Sequence, residues 1–259
     1  MKWALALVLA AVSSVTFAAG GSTYPLEQIE PDYTDKVSLQ RGLATYSHYC
    51  MGCHSLEYQR YERTATDLGI DLEIMVQAIV PRDKKIGDLG GIAMPAKAAA
   101  EWFGAPPPDL TLVARKRSPE WVYTYMKTFY VDPTRPLGVN NKVFPKVGMP
   151  HVLEPLQGQQ RAVCEDLTSL ESRTAGADAG SGQSFTESQC GSLEVIEGTA
   201  QLSAAEYDRL IYDLVNFLEY VGEPTKARAH SIGIYVLLFL MLFFVFAYLL
   251  KREYWKDVQ

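Results

Sequence analysis

Tyr49-Cys50-Met51-Gly52-Cys53-His54 is the stretch on which the reading of this chain turns. In a Cys-x-x-Cys-His string two thiols three residues apart on the first turn of a helix reach the two vinyl groups of one porphyrin, and the next residue lies under the iron as its imidazole ligand. Two other chemistries use paired cysteines. A thioredoxin-like redox pair calls for a preceding strand and a βαβ context, and a zinc site calls for a second close pair of Cys or His. The remaining cysteines, Cys164 and Cys190, stand 26 positions apart and make no such pair. The string therefore predicts one covalently attached haem c, anchored by Cys50 and Cys53 and ligated by His54.

Working outward, Leu39, Gly42, Leu43 and Tyr46 fall at i, i+3, i+4 and i+7. That spacing predicts a helix running into the haem motif with one apolar face, and with a glycine where a second helix can approach closely. Far downstream, Ser203-Ala204-Ala205-Glu206 reads as a capping box. Tyr207, Leu210, Ile211, Leu214, Phe217, Leu218 and Val221 then repeat at helical spacing until Gly222 and Pro224. These two helices are predicted to cross.

The other side of the iron decides between electron transfer and small-molecule chemistry. A thioether closes the site and raises the reduction potential, whereas an exchangeable position admits ligands. Met75 and Met126 lie in helix-like stretches, where methionine is core filling. Met94, in Gly91-Ile92-Ala93-Met94-Pro95, and Met149, in Val147-Gly148-Met149-Pro150, lie in loops ending in proline that can present sulfur to a metal. Spacing does not separate them. Pro145 and Pro150 stiffen the Met149 loop on both sides, which gives it a slight lead. His151 is a further candidate.

The two ends of the chain predict its address. Residues 1–18 combine Lys2, an apolar run from Trp3 to Val12 and a small-residue close at Thr16-Phe17-Ala18, the layout of an export signal. Ile232 to Leu250 is 19 residues without a charge, about 28 Å of helix and enough to cross a hydrocarbon core. Lys251, Arg252 and Lys256 after it favour a cytoplasmic C-terminus. The expected organisation is a signal at 1–18, an exported domain at 19–225, and an anchor with a short cytoplasmic tail at 226–259, its span at 232–250. The chain of 259 residues has 24 Lys and Arg against 30 Asp and Glu, with 48% hydrophobic and 21% charged residues. This balance excludes low-complexity disorder and a multi-span transporter, and the net charge of −6 leaves no electrostatic footprint for nucleic acid.

Most of that charge is local. Residues 157–200 hold seven acids against two arginines, −5 of the net −6, around a Gly- and Ala-rich middle. Cys164 and Cys190 bracket the insertion. In an oxidising compartment a disulfide between them restricts the unfolded chain and contributes about 3 kcal/mol. An acidic lobe can steer a basic electron acceptor, and it can equally be a solvated surface loop.

The order of export signal, CMGCH, Pro106-Pro107-Pro108-Asp109-Leu110 running to Arg115-Lys116-Arg117, a Phe144-Pro145 loop ending Gly148-Met149-Pro150, and one C-terminal span resembles the cytochrome c1 family, the haem subunit of the cytochrome bc1 complex. The resemblance covers nearly the whole mature chain. It implies a mainly α fold, a class I cytochrome c-like helical haem domain with long loops plus one C-terminal transmembrane helix. It also implies Met149 as the axial ligand, with Met94 in a variable upstream loop, and Arg117, beside Arg115, near a haem propionate. Certain bacterial relatives carry a comparable bridged insertion. The ligand segment reads Gly-Met-Pro-His where relatives often have Gly-Met-Ala-Pro.

The function so implied is electron transfer without bond chemistry of the chain's own. Single electrons pass from the Rieske [2Fe-2S] protein, beside a cytochrome b partner, to a soluble or tethered c-type cytochrome, within a dimeric complex of the bacterial inner membrane whose haem domain lies in the periplasm. The alternative is a membrane-anchored c-type cytochrome serving another oxidase or dehydrogenase. A haem enzyme or gas sensor with an open distal position is a third reading.

Overall fold

The computed structural model of the chain describes residues 24–92, 94–163 and 191–256. The expected export signal, Cys164, Cys190 and the middle of the acidic insertion lie outside the described residues.

Helix α1 (Lys36–Thr45) starts where Asp35 accepts hydrogen bonds from the N–H groups of Val37 and Ser38, two donors the helix itself leaves without partners. Its Leu39, Gly42 and Leu43 are buried. The late helix Ala204–Gly222 opens with the expected capping box between Ser203 and Glu206, and it buries Tyr207, Ile211, Leu214, Phe217, Leu218 and Val221. The two helices cross, as their sequences predict, and Gly42 sits at the crossing. A Cβ placed on it would lie 2.0 Å from the Asp213 carbonyl oxygen and 2.6 Å from Phe217 Cβ. Only a residue without a side chain fits there.

The crossing also carries a polar network. Buried Asp213 accepts from Ser38 Oγ (2.6 Å) and from Arg41 Nη2 (3.0 Å), while Asn216 Nδ2 donates to Ser38 Oγ (2.9 Å) and to the Asp32 carbonyl (2.8 Å). A carboxylate out of water is tolerated when its lone pairs are met in this way. The segment before α1 is thereby strapped along the late helix, reinforced by Tyr212, which donates to the Glu30 carbonyl.

Between these helices the chain makes short elements: strand β1 (Leu56–Arg60), α2 (Tyr61–Leu68), α3 (Leu72–Ala78), β2 (Leu89–Gly90), α4 (Ala96–Phe103), α5 (Val113–Arg117), α6 (Pro119–Lys127), β3 (Phe129–Val131), β4 (Val139–Asn141), α7 (Glu154–Gln157), β5 (Gln160–Val163) and β6 (Ser192–Val195). Ala204–Gly222 is then α8, and Lys226–Tyr254 is α9. The fold is mainly α, as expected. The strands form three separate antiparallel pairs, β1 with β2, β3 with β4 and β5 with β6. Met75 and Met126 are core filling, 0% and 5% exposed.

The β5–β6 ladder sets Arg161 opposite Glu194, which form an ion pair at 3.0 Å, and Val163 opposite Ser192. The two feet of the acidic insertion are therefore held side by side. Helix α9 is of another kind. Ile232–Tyr254 is long and apolar enough to cross a membrane, and none of it is buried against the rest of the protein.

Candidate functional site

The helix predicted to run into the haem motif does so, and the structure corrects the other expectation, since Cys50–His54 lies at the end of that helix and not on the first turn of one. After Thr45 the chain widens into a single π-turn, Tyr46–Cys50, in which Met51 N–H reaches back to the Tyr46 carbonyl (2.9 Å). Such i+5 turns insert one extra residue and re-aim the side chains downstream of them. The turn closes as the N–H groups of Cys53 and His54 both bond the Cys50 carbonyl, at 3.0 and 2.9 Å. Cys50 faces the core, Cys53 is half-buried, and the two thiols are not bridged. Burial, with Cys53 adding to it, pushes the Cys50 thiol up to about 12.

His54, just past the helix end, is held by a distant segment. Its Nδ1 lies 2.7 Å from the Pro108 carbonyl oxygen. A carbonyl only accepts, so Nδ1 carries the proton and Nε2 keeps its lone pair. Nε2 makes no hydrogen bond among the described residues. Burial lowers the pKa of the ring, opposed by the Pro108 bond and the Asp109 charge, so the imidazole is neutral. The next residue of the same segment fixes the backbone around it. The Asp109 carboxylate accepts from Ser55 Oγ (2.7 Å), Glu57 N–H (2.7 Å) and Thr111 N–H (2.9 Å), and Leu110 N–H bonds the Ser55 carbonyl (2.9 Å). Tyr46 donates to the His54 carbonyl at 2.6 Å.

Met149 is half-buried and packs against both apolar clusters of the protein, one of which contains Cys50. Met94, also half-buried, belongs to neither cluster among the described residues. The loop that carries Met149 is shaped by two asparagines at the end of β4. Asn141 Oδ1 accepts from Val143 and Phe144 N–H, its Nδ2 donates to the Tyr125 carbonyl, and Asn140 Oδ1 accepts from Lys146 N–H. Arg135 Nη2 clamps the Lys146 carbonyl at 3.1 Å.

An aromatic wall stands over this loop. Trp121 stacks on Tyr125 (4.9 Å, 10°), Phe129 meets Tyr125 edge-on, and His151 stacks on Phe129 (4.7 Å, 2°). Tyr125 donates its hydroxyl to Met149 Sδ at 3.4 Å, and burial holds the phenol protonated by raising its pKa.

The donor set fits a covalently held haem. Two unbridged thiols, a neutral imidazole with an open Nε2 and a presented thioether are what that group requires. Among the described residues Arg135 Nε, beside the Met149 loop, is buried without a hydrogen-bond partner, and the buried His151 ring has Gln157 as its polar neighbour. Burial lowers the His151 pKa to about 4. Among the described residues no cluster of three or more His, Cys, Asp or Glu is arranged to hold a bare metal ion. Arg117, at the end of α5, is exposed, with its guanidinium 5.1 Å above the Trp121 ring. Arg115 instead lays its alkyl stem near Gly222.

Sequence reasoning missed the Pro108 carbonyl, Asp109, Tyr125, Asn140 and Asn141 as site-builders. Asp109 had a local signal, an Asx turn toward Thr111 N–H inside a proline-led segment. Tyr125 had none, because its partner lies 24 residues away.

The profile of the Cytochrome C1 family matches residues 26–166 and 192–258. Cytochrome c1 of Allochromatium vinosum is 48% identical over 257 residues, covering 99% of each chain. A protein of Nitrosomonas europaea named ammonia monooxygenase gamma subunit is 38% identical over 253 residues, 97% of each chain. Cytochrome c1 of Rhodospirillum rubrum is 25% identical over 247 residues, 87% of this chain and 83% of that one.

Proposed function

This chain belongs to the Cytochrome C1 family, and from that premise we propose that it relays single electrons from a Rieske [2Fe-2S] protein to a c-type cytochrome within a bc1 complex. Family membership makes it a membrane-anchored c-type cytochrome with one covalent haem c, an electron-transfer subunit of an oxidoreductase complex. When bound, the haem supplies a one-electron Fe(III)/Fe(II) couple.

The chain's own residues bind, orient and exclude water. Cys50 and Cys53 would attach the haem, and His54, turned by its bond to the Pro108 carbonyl, would ligate the iron. Met149, held by the loop that Asn140 and Asn141 shape, would supply the second ligand. Arg117, exposed over Trp121, would hold a haem propionate, since a guanidinium can grip a carboxylate bidentately. A neutral imidazole and a thioether together stabilise the reduced state, so the chain accepts electrons from a donor of moderate potential and performs no bond chemistry. Periplasmic placement of the globule, cytochrome b as a neighbour and a dimeric complex complete this reading. Docking of the acceptor would be brief and salt-sensitive, and the acidic charge of residues 157–200 can steer a basic acceptor or simply be a solvated surface loop.

The observation that carries the proposal is the His54 Nδ1 bond to the Pro108 carbonyl, which leaves Nε2 free beside two unbridged thiols. The name of the Nitrosomonas relative favours one second reading, a tethered cytochrome serving another oxidoreductase. Isolation of the full chain from its native membrane in mild detergent separates the two. Cytochrome b and a Rieske protein are expected with it, and their absence alongside a different oxidoreductase would establish the second reading.

A further inference from the structure

We infer that Tyr125 is a positioning residue for the sixth iron ligand, its hydroxyl holding Met149 Sδ by a hydrogen bond that raises the reduction potential of the site. The inference rests on the reading of Met149 as that ligand and goes beyond it. A thioether has no proton to give, so across the 3.4 Å contact the phenol is the donor. Sulfur has two lone pairs, which lets one face a metal while the other accepts.

The geometry of the donor is imposed from elsewhere. The Tyr125 ring is stacked on Trp121 (4.9 Å, 10°) and met edge-on by Phe129 (5.1 Å, 71°). Asn141 Nδ2 bonds its backbone carbonyl at 2.7 Å, and the same asparagine shapes the turn at Val143 and Phe144 that leads to Met149. One residue thus fixes donor and acceptor relative to each other. Among the described residues the Tyr125 hydroxyl has no other hydrogen-bond partner.

The electronic consequence has a definite sign. Ferric iron draws more electron density from its ligands than ferrous iron does. A hydrogen bond that withdraws density from the sulfur therefore disfavours the oxidised state, and outer hydrogen bonds of this kind tune metal sites.

The test uses the full-length holoprotein in detergent, as wild type, Tyr125→Phe and Tyr207→Phe. The last removes a different buried hydroxyl, one that donates to the Met126 carbonyl at 2.9 Å. The readouts are the midpoint potential from redox titration and the sulfur-to-iron charge-transfer absorption of the oxidised protein. Tyr125→Phe is expected to lower the potential, with the reduced-to-oxidised ratio at a fixed poise falling about threefold, within the net worth of one hydrogen bond. Tyr207→Phe is expected to leave the ratio unchanged. Loss of the charge-transfer band in Tyr125→Phe alone also supports the positioning role. A wild-type potential and an unaltered band in Tyr125→Phe would overturn the inference. A wild type that itself lacks the band would overturn Met149 ligation, a result independent of the tyrosine variant.

Discussion

Met149 and Met126 are the same side chain in two settings, and the difference between them is what makes one a ligand candidate. Met126 is sealed in the core on a helix, whereas Met149 is presented by a non-helical loop whose backbone is tied to asparagine side chains. Met149→Leu is expected to keep the haem covalently attached and to abolish the sulfur-to-iron charge-transfer band. Retention of the band in that variant transfers the role to Met94. Asp109 is the other residue on which the site depends. It gathers Ser55 Oγ and two backbone N–H groups around the histidine, and its removal leaves those donors unmet. Asp109→Ala should lower stability by about 1–3 kcal/mol in denaturant titrations, with Asp109→Asn closer to wild type. The Cys50–His54 string was readable because its chemistry is written in adjacent positions. The Pro108 carbonyl that turns the ring was not, since it is a backbone atom 54 residues away that has no composition to read.

At the scale of elements, the two long helices of the globule were legible for a physical reason. Helical periodicity and the Ser203–Glu206 cap are local patterns, and the buried faces fall where the pattern puts them. Gly42 tests the crossing they make. Gly42→Ala drives a methyl group into the backbone of Asp213, which cannot step aside as the end of a side chain could. A loss of about 3 kcal/mol is expected, read as an earlier unfolding midpoint of the holoprotein. Two features escaped the sequence. The π-turn at Tyr46–Cys50 uses ordinary helical residues, and only the Met51-to-Tyr46 bond distinguishes it. The ladders of two to five residues at β1 to β6 are too short to show alternation, and they exist because loops on the core bring them together.

On the scale of the whole molecule, the chain separates into a globule, an anchor and an acidic insertion joined at defined places. The β5–β6 ladder sets Val163 beside Ser192, so the chain enters and leaves the insertion at neighbouring points. Cys164 follows Val163 directly and Cys190 lies two positions before Ser192, which supports the proposed bridge between them. Intact-mass measurement of alkylated protein should show that these two thiols react only after reduction. Cys164→Ser should lower stability by about 3 kcal/mol, whereas alkylation of both thiols without prior reduction would rule the bridge out. The crossing at Gly42 has its own consequence, because Arg41 and Asp213 are separated by 172 positions. During synthesis the first helix finds its partner only after the chain through Asp213 has emerged, and closure of so wide a contact is slow. Until then the Cys-x-x-Cys-His segment stays accessible. In the folded chain Cys50 is buried, and burial raises its thiol pKa, which disfavours the nucleophilic thiolate. The topology thus predicts that the thiols react most readily before the last helix of the globule docks, an order that pulse-labelling of the nascent and the folded chain with a thiol reagent would check.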